Sequence, residues 1–238
     1  MKLIRNHKVT ASMTDSLANL SVIGIFRIVE DTIAELMGEL QYDDITMKER
    51  YGAVWVSSKI RIRFLKRMAW NESFYTAGFI SSMTGGTINV DVALRNMADE
   101  LCAYGRVEYC ALEIKTGRLR KIASLGIGSI VTAEQPETDL AFIRFQNVEL
   151  PESGRVQVKY TGIDFARHTN NIEYIRFMLN TYSVQELETR PIKELEILFK
   201  NQTFENDVLT IHKGSFGETD VFLLKKEDKV VVRSEILF

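Results

Sequence analysis

The sequence predicts an α+β chain built twice over, and three observations carry that expectation. One long stretch has the apolar periodicity of a helix, several stretches after it have strand chemistry, and the second half repeats the plan of the first. With 238 residues, 45% of them hydrophobic and 26% charged, the chain can bury one large core or two of ordinary size.

The helix comes first. Val22, Ile25, Phe26, Val29, Ile33, Leu36, Met37 and Leu40 recur at steps of three and four over about five turns, so one face must be buried. Thr14, Asp15 and Ser16 precede it and can cap its N–H groups, while Gly38 and the polar run 41–44 mark its end. Strand chemistry follows at 54–65, 74–82, 87–95 and 107–115. In the first of these Ile60, Ile62 and Phe64 alternate with Arg61, Arg63 and Leu65, so one face can pack while the arginines stay wet.

The second half has a short strand at 155–160, a loop, and a helix with Ile172, Ile175, Leu179 and Tyr182 on one face. Strands are expected at 194–200, 207–213, 219–225 and 229–237, with turns at 214–217 and at Glu227-Asp228. Placing Asp15 over Asp164 brings both helices into similar register, as a duplication would. The expected organisation is an N-terminal domain over 1–130, a connection over 131–154 that holds Pro136 and Pro151, and a C-terminal domain over 155–238.

Thirty basic residues against 32 acidic ones leave a net charge of −2, so no global field draws nucleic acid or an anionic membrane. The apolar stretches fall well short of the roughly 20 residues a membrane helix needs, and residues 1–8 lead into no signal-peptide core. The expected location is the cytoplasm, without a membrane span. Cys102 and Cys110 lack C-x-x-C spacing and are expected reduced. No cluster of His, Cys and carboxylates suggests a metal, and no Gly-rich loop fits a phosphate or dinucleotide cradle, so no cofactor is expected.

The segment Tyr160-Thr-Gly-Ile-Asp164-Phe-Ala-Arg-His168-Thr-Asn-Asn171-Ile-Glu-Tyr174 strongly resembles the D-x-N-x-H-x-N-N-x-x-Y signature of acyl-ACP thioesterases. The resemblance extends through Asp15 and its helix, Trp55-Val56, Thr116-Gly-Arg118 with Arg120-Lys121-Ile122, and the Phe199-Lys-Asn-Gln202 strand. It implies a tandem (double) hotdog, each half a long helix wrapped by a curved antiparallel sheet. The N-terminal hotdog would hold the acyl chain beside its helix, and the C-terminal one the reactive centre. It also implies hydrolysis of an acyl-phosphopantetheine on acyl carrier protein, by a monomer or homodimer, with Tyr174 and Trp55 meeting substrate. The basic stretch Lys59, Arg61, Arg63, Lys66 and Arg67 can meet that acidic carrier, or is a solvated strand face.

His168 suits proton transfer near neutral pH, and Asp164, four residues earlier, can orient it or act as base or nucleophile. Asn170 and Asn171 start a helix whose N–H groups can hold an oxyanion. Two positions depart from the family pattern: Ala166 stands where the signature has Asn, and Gln202 where many relatives carry a catalytic Glu. Gln202 cannot act as a base, but its amide can position water. Two further readings are an acyl-CoA thioesterase and a non-catalytic acyl-binding or regulatory protein. His7 and His212 are expected to be structural or exposed.

Overall fold

The computed structural model describes residues 1–127, 138–146 and 148–238. They form two compact units, Met1–Ala141 and Phe142–Phe238. The expected connection at 131–154 is thus divided: 138–141 belong to the first unit and 142–154 to the second, while 131–137 and 147 lie outside the described residues.

In the first unit β1 (Lys2–Lys8) precedes the helix α1 (Val22–Glu39), and a short α2 (Asp44–Thr46) follows it. Then come β2 (Ala53–Phe64), β3 (Ser73–Met83), β4 (Thr87–Asn96), β5 (Leu101–Glu113) and the two-residue β6 (Leu119–Arg120). The sheet order is β1-β3-β4-β5-β2, every pair antiparallel, with β6 also paired to β5. The expected apolar stripe is the buried face of α1: Ile25, Phe26, Val29, Ile33, Leu36 and Met37 are all 4% exposed or less. Two sheet glycines set how closely the helix approaches. A Cβ at Gly78 would stand 3.0 Å from Thr32 Cγ2, and one at Gly105 would stand 3.2 Å from Val29 Cγ2. In β2, Ile60, Ile62 and Phe64 face the core as the alternation predicts, while Arg61 and Arg63 are half-buried rather than fully wet.

The second unit repeats the order strand, helix, sheet. It has β7 (Glu152–Gln157), α3 (Asn171–Leu179), α4 (Val184–Thr189), β8 (Glu194–Phe199), β9 (Val208–Phe216), β10 (Thr219–Lys226) and β11 (Lys229–Leu237). The strands run β8-β11-β10-β9-β7, all antiparallel. A helix laid on an antiparallel sheet in each unit is the double-hotdog plan.

Several elements differ from the sequence reading. β1 carried no expectation, because its alternation is broken by charged and polar residues. The cap of α1 is Ser21, which accepts from Gly24 N at 3.0 Å, and not the 14–16 segment. α3 ends at Leu179, so Tyr182 lies beyond it and donates its hydroxyl to Asp220 at 2.7 Å. α4 opens on a capping box, Ser183 with Glu186, a Ser-x-x-Glu pattern that was readable in the sequence. Gln202 follows β8 and stands in a loop rather than on a strand.

Candidate active site

The signature residues from Asp164 to Asn170 sit on one tight turn ahead of α3, and Asn171 and Tyr174 lie in the first turns of that helix. Asp164 Oδ1 accepts from the backbone N–H of Ala166 at 2.9 Å and of His168 at 3.3 Å. Asp164 N donates to His168 O at 3.0 Å, and Arg167 N donates to Asp164 O at 3.0 Å. Closing the turn this tightly puts Arg167 in the left-handed region, with φ of 64°, and pairs Ile163 with Thr169 across it. Asp164 therefore reaches His168 through the peptide N–H. Among the described residues the His168 ring has no hydrogen bond, and its contact is an edge-on one with Phe204 at 5.2 Å between centroids. The half-buried imidazole is thus held at its base and open at its nitrogens.

Asn170 caps α3, its side chain accepting from Ile172 N at 2.9 Å. Its own N–H donates to Gly162 O at 2.8 Å, and Glu173 N donates to Asn170 O at 3.0 Å. The N–H groups of Asn170, Ile172 and Glu173 are therefore engaged within the unit, which leaves the helix start less open to an oxyanion than the sequence implied. Gln202 is exposed, and among the described residues its amide makes no hydrogen bond. It lies one residue before Thr203, whose carbonyl accepts from Thr169 N at 2.8 Å, so the Gln202 loop is tied to the His168 turn.

Tyr174 lies under the turn and not on its surface. It is 3% exposed, and its hydroxyl is 2.7 Å from Thr203 Oγ1. Thr203 Oγ1 is in turn 2.6 Å from Thr169 Oγ1, which donates to Thr203 O at 3.1 Å. Burial pushes the Tyr174 phenol above its usual range, so it stays protonated and able to donate. Sequence reasoning missed Thr169 and Thr203. A comparison of the two halves position by position was the signal that would have found them.

The other expected residues lie apart from this turn in the first unit. Trp55 is in β2, donates Nε1–H to Tyr42 O at 2.7 Å, and packs edge-on to Tyr109. With Ile33, Ala34 and Met37 of α1, these two rings border a cavity of about 100 Å³ beside the helix, where Glu30 and two aspartates add acidic character. The basic stretch is largely engaged within the unit. Lys59 pairs with Glu108 at 3.1 Å and Lys66 with Glu100 at 2.5 Å, while Arg63 donates to Thr138 at 2.7 Å and Arg61 to Ala141 O. Arg67 donates to Leu20 O at 3.3 Å. Both cysteines are free, and burial pushes their thiols up, away from the reactive thiolate. His7 bonds Thr76, and His212 bonds Leu150 O and Thr210, which are structural roles. No helix among the described residues is long and apolar enough to cross a membrane.

The family model for the acyl-ACP thioesterase C-terminal domain matches residues 146–236, a span that contains the whole turn, α3 and the Thr203 loop. No match is found among curated proteins. Among solved structures, an acyl-ACP thioesterase from Bacteroides thetaiotaomicron superposes with a TM-score of 0.92 at 17% identity, over 100% of this chain and 97% of that one. The 12:0-ACP thioesterase from Umbellularia californica gives a TM-score of 0.89 at 13% identity, over 99% and 96% of the two chains. At such identities the likeness speaks for the fold. Residues 146–236 thus match the acyl-ACP thioesterase C-terminal domain, in a chain that has the double-hotdog fold of the acyl-ACP thioesterase structures.

Proposed function

We propose that the chain hydrolyses fatty acyl thioesters, with acyl-ACP as substrate, giving a free fatty acid and holo-ACP. The observation that carries this reading is the imidazole of His168, fixed at its backbone on a rigid turn inside the matched domain and unbonded at its ring among the described residues. His168 takes a proton from water as that water attacks the thioester carbonyl. The tetrahedral intermediate collapses with loss of the thiolate, and His168 returns the proton to sulfur. Asp164 holds the turn and with it His168. Gln202, whose amide is uncommitted among the described residues, orients the attacking water or the thioester oxygen, and Asn170 and Asn171 edge the site. The acyl chain enters the cavity beside α1 that Trp55 borders.

A second reading, acyl binding without turnover, is favoured by one observation. Asp164 Oδ1 is taken up by backbone N–H groups, with Ala166 and Gln202 standing where the family pattern has Asn and Glu. Turnover of acyl-ACP and acyl-CoA of several chain lengths, side by side, separates these readings. Preference for acyl-ACP supports the proposal, preference for acyl-CoA changes the carrier, and binding without turnover of either supports the second reading.

A further inference from the structure

The two units share the backbone of the turn, and this gives an internal control on which side chains the fold needs. In the first unit Asp15 Oδ1 accepts from Leu17 N and Asn19 N, both at 3.0 Å, and Ala18 is left-handed with φ of 56°. Asp15 N donates to Asn19 O at 2.8 Å, Ser21 N to Met13 O at 2.9 Å, and Leu20 N to Met68 O at 2.7 Å. Each bond has its counterpart around Asp164. By this correspondence Thr169, Thr203 and Tyr174 occupy the places of Leu20, Met68 and Ile25.

Those three first-unit residues are apolar and 1% exposed or less. The second unit has three hydroxyls instead, at 5% exposure or less. Burying a hydroxyl is unfavourable unless it is bonded, and the apolar trio shows that the backbone closes without any. The hydroxyls are bonded in one direction: because Thr169 Oγ1 donates to Thr203 O, Thr203 donates to Thr169, and Tyr174 donates to Thr203. The row links α3, the Gln202 loop and the residue after His168.

We infer that Tyr174, Thr203 and Thr169 form a positioning relay that fixes the His168 turn against the Gln202 loop for the reaction. The inference rests on His168 acting in thioester hydrolysis. It needs no contact between these hydroxyls and substrate, since directional bonds hold two loops to a narrower range of positions than apolar packing does.

The test uses the full chain with Tyr174→Phe, Thr203→Val and Thr203→Ser. It also uses the triple variant Thr169→Leu, Thr203→Met, Tyr174→Ile, which copies the first unit. Backbone hydrogen exchange at residues 168–170 is read alongside kcat and KM for acyl-ACP and the melting temperature. Exchange at Thr169 N–H should rise about tenfold in Tyr174→Phe and Thr203→Val. In the same variants kcat should fall about tenfold with KM changed less than about twofold, because the loss is of alignment and not of binding. Thr203→Ser should restore both. Tyr174→Phe removes a single oxygen and keeps the ring, so it carries the test if a bulkier change fails to fold. Unchanged exchange and kcat in folded Tyr174→Phe and triple variants would overturn the inference. If the wild type hydrolyses no acyl thioester, the proposed function falls, and the exchange measurement still decides whether the relay holds the turn.

Discussion

The turn before α1 and the turn before α3 share most of their backbone hydrogen bonds and the same aspartate, yet differ in nearly every side chain they present. Asn19 stands where the second turn has His168, Ser16 where it has Phe165, Ala18 where it has Arg167, and Leu20 where it has Thr169. The likeness extends further out, since Asn71 and Asn206 both have φ of 69° and donate to Val9 O and Val158 O, each at 3.0 Å. What the two copies share is what the fold requires, and what only the second copy has is where function is to be sought. By this criterion Asp164 belongs first to the fold, and His168 is the residue whose chemistry is to be tested.

The largest expected effect comes from making the second turn resemble the first at its central residue. His168→Asn should lower kcat for acyl-ACP by about 10²-fold or more, as loss of a general acid-base group does, with the melting temperature barely moved. Wild-type turnover in the folded variant would remove His168 from the mechanism.

Asp15→Ala and Asp164→Ala should cost similar stability, about 1–2 kcal/mol each, because each removes the acceptor for two backbone N–H groups. Only Asp164→Ala should also slow hydrolysis. Urea unfolding of both variants together with their kcat values checks this, and equal loss of activity in both would erase the asymmetry between the turns.

Ala18→Gly and Arg167→Gly relieve a left-handed residue and should each stabilise by about 0.5 kcal/mol, after allowance for the greater entropy of the unfolded glycine chain. Opposite signs would show that Arg167 makes a contact that compensates its backbone strain.

The smallest effect concerns His7, whose place in the second copy is taken by Val156. Burial lowers the His7 pKa below its ordinary 6.5, outweighing the pull of Glu35 and Asp31. The unfolded chain therefore binds the proton more readily, so this contribution is complete above pH 6.5 and is lost as pH falls through the lower folded value. Melting temperatures between pH 7.5 and 5 should fall less in His7→Val than in the wild type; an identical fall would exclude His7 as a source.

Much of the fold was legible because its signals are local. The α1 stripe and the alternation of Ile60, Ile62 and Phe64 with arginine each report burial within one element. The His168 turn was legible as a resemblance. Its construction was not, because Asx-turn bonding and left-handed backbone at Ala18 or Arg167 leave little imprint on residue type when the residue is not glycine. The Thr169–Thr203 contact was equally hidden, since it joins residues 34 positions apart whose pairing exists only once the Gln202 loop has folded back.

The longer helix of the first unit has a consequence for how such a chain can change over generations. Asp15 and Asp164 are 149 positions apart and Asn71 and Asn206 are 135 apart, so the stretch between these landmarks is 14 residues longer in the first unit. α1 has 18 residues against 9 in α3, and β2 has 12 against 6 in β8. Both units nonetheless keep the bonds around Asp15 or Asp164, and around Asn71 or Asn206, at the ends of that stretch. Insertions and deletions there can lengthen or shorten the helix that borders the cavity while leaving the turn untouched, so pocket size and turn geometry are free to drift under separate selection.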